Sequence, residues 1–187
     1  MKNLFKAFLT LCLAVFFAKC SDNSKFEINK GKVGQITTET TVKDLEALFV
    51  NDSIVKILSE GAKGNRHFQD DDEYLIYDKE GKHLLTITPK EQLDETSTLK
   101  CVEIFDDRYK TESGINVNAS FGDINTKEQI SKVESTLSSA TLFIDNLNAT
   151  FAIDKEELGL KEFSLEKVTK EQIPDLAKTK SFIVWFN

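Results

Sequence analysis

Cysteine, proline, histidine and tryptophan are all scarce in this 187-residue chain, and each scarcity removes a class of protein. Of the three cysteines, Cys12 and Cys20 fall in the first twenty residues, where Cys12 would leave with a leader and Cys20 would be acylated, stranding Cys101. No internal disulfide can then form, and the fold must be held by its core. A domain of about 150 residues buries roughly 70% of its unfolded surface, enough to stand without staples. Two prolines, Pro89 and Pro174, are too few for a disordered, proline-rich chain. Two histidines, His67 and His83, give a hydrolase one thiol and two imidazoles to work with, and they offer zinc no close ligand spacing. Cys101 sits within the apolar alternation of a strand, the setting of an inert buried thiol. No Gly-x-Ser-x-Gly, Walker or dinucleotide-binding glycine pattern occurs, which excludes the commonest motif-bearing enzymes. Neither a catalytic residue, a cofactor nor a metal ligand is therefore expected.

What is present begins with the leader. Lys2 and Lys6 precede an apolar run, Leu9 to Ala18 with Phe8 before it, that can enter a translocon but is too short to span a bilayer. Cys20 follows where a lipoprotein carries its acylated cysteine, and small polar residues come at once behind it. The pattern predicts a lipoprotein signal peptide over residues 1–20, lipidation at Cys20, and a chain moored to a membrane of the bacterial cell envelope, periplasmic or surface-exposed. Ala18 suits the peptidase. Phe17 is bulky, and Lys19 stands where Gly, Ala or Ser is usual, so a secretory signal cut near Ala18 and an uncleaved anchor stay open. A buried core helix over residues 4–18 would need a polar face, which the segment lacks. Each buried acyl methylene contributes about 0.8 kcal/mol, so two or three chains would anchor the protein for good.

The formal charge is −7, and loss of Lys2, Lys6 and Lys19 with the leader leaves 21 basic against 31 acidic side chains, a charge of −10. Such a surface repels nucleic acid and suits solubility beside a membrane or a basic partner. The densest acidic run, Asp70-Asp71-Asp72-Glu73, has the wrong spacing for a calcium loop and reads as a solvated approach to a strand.

Residues 21–32 are polar and small, the composition of a flexible tether holding the domain on the order of 20 Å from the lipid. Residues 33–187 read as one α+β domain. Val42, Leu45, Leu48 and Phe49 form an apolar stripe behind Thr41 and Asp44, which approximate a capping box. Ile54 to Leu58 follows as a strand. Tyr74 to Tyr77 and Leu84 to Ile87 flank Asp78-Lys79-Glu80-Gly81 as a bulged hairpin, and Leu99 to Phe105 is a third strand with Val102 and Ile104 on one face. A second unit starts at Gly114. Setting Ile36 over Ile115 brings Thr41 over Ser120, Val42 over Phe121, Asp44 over Asp123 and Leu45 over Ile124. The second copy is expected to continue as a helix through Ile130, Val133 and Leu137, strands at Thr141 to Ile144 and Thr150 to Ile153, a helical stretch around Ile173 to Leu176, and a closing strand Ser181 to Phe186. Two repeated helix-plus-antiparallel-sheet units, about 33–113 and 114–187, in one compact domain are the economical reading.

Tyr109-Lys110-Thr111-Glu112-Ser113-Gly114-Ile115, Ser120-Phe121-Gly122-Asp123-Ile124 and the closing Ile183-Val184-Trp185 together resemble a family of uncharacterised lipoproteins of Bacteroidota cell envelopes. Asn118 departs from it where glycine is typical, as does Lys19 before Cys20. The repeated plan is more faintly similar to small barrel-assembly lipoproteins and to beta-lactamase-inhibitor-like domains. These resemblances imply envelope location and a binding or assembly role. The segment Tyr109, Lys110 and Thr111, where aromatic and polar groups meet at a connection between units, is the candidate binding site. The expected function is a non-enzymatic protein-binding lipoprotein of assembly, inhibition or immunity type; the alternative is a small-ligand or glycan binding module, and a carboxylate enzyme comes third.

Overall fold

The computed structural model describes residues 25–59, 71–161, 163 and 165–186. The leader with Cys12 and Cys20, and the segment holding Gly64, Asn65, His67 and Asp70, lie outside the described residues. Period-two alternation of apolar side chains builds most of the rest. In β5 (Glu73–Tyr77) the buried positions are Tyr74 and Ile76; in β7 (Leu99–Ile104) they are Leu99, Val102 and Ile104. Between them β6 (His83–Pro89) buries both Leu84 and Leu85, because a bulge opposite Ile76 and Tyr77 shifts the register by one residue. Gly81, at φ +81°, supplies the left-handed turn of this hairpin.

Five further strands complete one antiparallel sheet: β4 (Ser53–Ile57), β9 (Lys132–Ser135), β10 (Ser139–Ile144), β11 (Ala149–Asp154) and β12 (Ser181–Trp185). The strand order is β4-β5-β6-β7-β12-β11-β10-β9. At its middle Val102 of β7 faces Val184 of β12, both fully buried. Phe151 and Phe182 stack 4.1 Å apart on the same face. The opposite face carries a row from Val55 through Leu75, Thr86, Glu103, Ile183, Thr150 and Phe143 to Lys132, read directly from the strand register.

Two short helices cover the core. Helix α1 (Leu45–Leu48) continues a 3-10 turn, Val42–Asp44, and Thr41 donates its N–H to Asp44 Oδ2 at 2.9 Å. Helix α2 (Phe121–Lys127) starts at Ser120, whose N–H and Oγ–H both donate to Asp123 Oδ2, at 3.0 and 2.8 Å. Each start is also stitched to the chain ahead of a central strand. Val42 N–H donates to Ser97 O at 3.0 Å and Lys43 N–H to Glu95 O at 2.9 Å; Phe121 N–H donates to Ala177 O and Gly122 N–H to Asp175 O, both at 2.9 Å. The fold is thus a sheet-rich α+β arrangement.

Four expectations need correction. The tether does not extend to residue 32, because β1 (Glu27–Asn29) and β2 (Lys32–Val33) form a hairpin in which Ile28 and Val33 are buried. Helix α2 stops at Lys127; Ser131 N–H already donates to Phe143 O, and sheet pairing claims Val133 for β9, overriding its helical spacing. The late helical turn is Lys170–Gln172, and Ile173 is extended, as a residue before proline prefers. Asp72 is not solvated: it is buried, accepting from Ser59 N–H, Ser59 Oγ–H and Leu93 N–H at 2.7, 2.8 and 2.6 Å, while Asp71 pairs with Lys100 at 2.7 Å.

A second, smaller sheet joins β1 and β2 to β3 (Ile36–Thr37) and, on the other side of β1, to β8 (Lys110–Thr111), in the order β3-β2-β1-β8. The β1–β8 pairing is parallel and sets Glu27 beside Lys110. That register decides where the candidate site forms.

Candidate functional site

Because β1 and β8 run parallel with Glu27 opposite Lys110, the residues just before each strand also lie side by side. Phe26 meets Tyr109 edge to face, ring centroids 5.0 Å apart, and Arg108 lies 4.8 Å from the Phe26 ring, with the Lys25 ammonium 5.6 Å from it. The small sheet thereby presents two aromatics and two cations on one wall of a cleft. Leu48 and Phe49 at the end of α1, and Asp52 just ahead of β4, form the second wall; Asp78 and Leu84 of the β5–β6 hairpin close the third. The cleft is shallow and open, and the 410 Å³ between its walls includes open solvent. Gly34 makes the tight corner: at φ +57°, an added Cβ would lie 2.4 Å from Lys25 O and 3.2 Å from Tyr109 Cε1.

The electrostatics beneath Arg108 are largely satisfied. Asp106 is wholly buried and accepts from Arg108 N–H at 2.8 Å, Nε at 2.9 Å and Nη2 at 2.8 Å, with the Lys82 ammonium 3.0 Å away. Burial alone would push its carboxyl up; the Arg108 and Lys82 donors outweigh that and hold it at about 2. Asp78 accepts from the backbone N–H groups of Glu80 and Lys82 at 3.1 and 2.8 Å and faces Arg108 at 3.5 Å.

The three candidate residues part company here. Tyr109 lines the cleft at 3% exposure, and burial, then the charges of Asp52 and Asp106, push its phenol well above the ordinary range. Lys110 is exposed on β8. Thr111 is buried, and its Oγ1 accepts from Ile115 N–H at 3.0 Å and meets Ser113 Oγ at 2.7 Å, so it fixes the turn at Gly114. Sequence reasoning found Tyr109 but missed Lys25, Phe26, Asp52 and Arg108, which join it only through the long-range β1–β8 pairing and the packing of α1.

Elsewhere, Cys101 is half-buried on the outer sheet face, and burial pushes its thiol up, away from a reactive thiolate. His83 stacks between Phe105 and Tyr77, centroids 4.0 and 4.8 Å away, and burial lowers its pKa. Among the described residues no group of three or more His, Cys, Asp or Glu could hold a metal, and no helix is long and apolar enough to cross a membrane.

No protein-family model and no curated protein matches this chain. A solved structure does: the uncharacterized protein yfeY from Escherichia coli superposes with a TM-score of 0.55 at 10% identity, covering 85% of this chain and 99% of that one. At that identity the likeness speaks for the fold alone.

Proposed function

We propose that this chain is a non-enzymatic lipoprotein of the bacterial cell envelope, anchored through Cys20, that binds another protein by accepting a partner strand on the edge of β4, which no strand pairs among the described residues. The observation that carries the reading is the exposure of that edge: Val55 is 47% exposed, Ile57 36% and Leu58 45%. Sheet edges ordinarily carry charge, proline, a bulge or a covering segment that prevents pairing. The opposite edge has such protection, since β9 carries Lys132 and Glu134, and Val168 N–H donates to Ser135 Oγ at its end at 2.7 Å. On β4 the only charge is Lys56, and Glu46 of α1 pairs with it at 3.0 Å. A strand laid on β4 would gain main-chain hydrogen bonds and apolar contacts together, and the acidic balance of the mature chain favours a basic partner.

The same reading takes the domain as two copies of one unit, about 33–113 and 114–187. It is supported by the matched stitches of Val42 and Phe121, and of Lys43 and Gly122, to Ser97, Ala177, Glu95 and Asp175. It is supported as well by the isolated bridges Thr41–Thr98 and Ser120–Lys178, and by four antiparallel strands after each helix. In such a duplication β4 and β9 are equivalent edges, β9 bearing two charges and β4 one.

Two measurements test the proposal. A fatty-acid analogue should label the wild-type chain and leave Cys20→Ala unlabelled; equal labelling removes the anchor. A stoichiometric partner recovered from detergent-solubilised envelopes should be lost with Ile57→Lys, which leaves the exposed edge folded but charged. Retention of the partner by that variant removes the edge-pairing role.

A further inference from the structure

The cleft between the small sheet and α1 holds polar groups that the fold does not use. Tyr109 is 97% buried, yet among the described residues its hydroxyl has no hydrogen-bond partner. No fully enclosed side-chain polar atom among the described residues lacks a partner, so this hydroxyl is not sealed in; it faces the open cleft. The Asp52 carboxylate lines the same space, close enough for its charge to raise the Tyr109 phenol, and it too makes no hydrogen bond or ion pair among the described residues. On the small-sheet wall, beside Tyr109, Lys25 makes no ion pair among the described residues, and Arg108 Nε and Nη2 serve Asp106 while Nη1 has no partner among them. The lining is otherwise partly apolar, with Phe26 on this wall and Phe49 on the facing one.

We infer that this cleft is a binding site for a small zwitterion with an apolar body, of the α-amino acid class, its ammonium between Asp52 and Tyr109 Oη and its carboxylate facing Lys25 and Arg108 Nη1. A ligand carrying only a carboxylate would bring its charge against Asp52 and Asp78. One carrying only an amine would face Lys25 and Arg108. A zwitterion satisfies both sets of groups, and an apolar side chain packs over Phe49. The Tyr109 hydroxyl is reached from the cleft and has no partner among the described residues, so it is available to a ligand that enters there. The inference goes beyond edge pairing and stands apart from it, because Ile57→Lys leaves the cleft untouched.

The test is calorimetric titration of the full-length chain in mild detergent with L-phenylalanine and L-leucine, beside phenethylamine and 3-phenylpropionate as single-charge probes. Amide chemical-shift maps accompany each titration. At least one amino acid should bind about tenfold or more tightly than either single-charge probe, with shifts clustered at residues 25–26, 49–52 and 108–109. Tyr109→Phe, which removes a hydroxyl the fold does not use, should weaken binding about fivefold or more while leaving thermal unfolding unchanged, and Asp52→Asn should weaken it further. Absence of binding at millimolar amino acid overturns the site. Equal affinity for a single-charge probe overturns the ligand class, and unchanged affinity in both variants overturns the placement.

Discussion

Asp106 is wholly buried yet ionised, its carboxylate's hydrogen bonds and ion pairs supplied by Arg108 and Lys82, two side chains that are themselves about half exposed. Its folded pKa of about 2 lies below the ordinary 3.8, so the unfolded chain binds the proton more readily in acid. The carboxylate therefore contributes stability that is fully present above pH 4 and is lost as pH falls through about 2. Asp106→Asn keeps the shape and two of the acceptor bonds but removes the charge. It should cost about 1–2 kcal/mol at pH 7, with exposure of both partners keeping the figure low. The gap between wild type and variant should close as pH falls from about 4 toward 2, as urea midpoints measured across that range would show. A gap independent of pH would mean that shape, not charge, is what Asp106 provides.

Glycine substitutions separate two costs within the elements. Gly34 and Gly81 both sit at positive φ, +57° and +81°, but a Cβ on Gly81 meets nothing within 4 Å, whereas one on Gly34 strikes Lys25 O at 2.4 Å. Gly81→Ala should lose about 1 kcal/mol for the backbone alone. Gly34→Ala should lose about 3 kcal/mol, since the β1–β2 hairpin must also shift off Tyr109; thermal denaturation of the two variants side by side measures the difference. The elements legible in the sequence are those whose pattern runs long enough to have a period. The alternation in β5, β6, β7, β10, β11 and β12, and the hydroxyl-to-Asp spacing of both helix starts, appear where they were expected. The small sheet was missed because strands of two or three residues have no period to read: Phe26 and Ile28 look like stray apolar residues in a polar run. The overlong α2 came from Ile130 and Val133 keeping helical spacing past a helix end that is set by pairing with β10. The cleft was half legible for the same reason, since Tyr109 stands in a conspicuous local segment while its neighbours arrive through a pairing 83 residues away, Glu27 with Lys110.

At the scale of the whole molecule, one sheet runs through both halves of the chain and is joined at its centre only by β7 and β12. The buried apolar residues nevertheless form one cluster, from Ile28 near the start to Phe186 at the end. A shared core of this kind makes unfolding cooperative, because losing one half exposes the inner strand of the other. Trp185, the single tryptophan, lies on β12, where it faces Cys101 across the join and donates Nε1–H to Thr150 Oγ1 at 3.1 Å. It therefore reports on the join and the later half together. Ile76 lies on β5, three strands away in the earlier half, and is fully buried. Ile76→Ala should cost about 2–4 kcal/mol through lost burial and the cavity left behind. If the core is one unit, that loss moves the Trp185 fluorescence midpoint and the far-UV circular dichroism midpoint by the same amount. A Trp185 midpoint that stays in place while the circular dichroism transition splits would mean that the two halves hold together only at the β7–β12 seam.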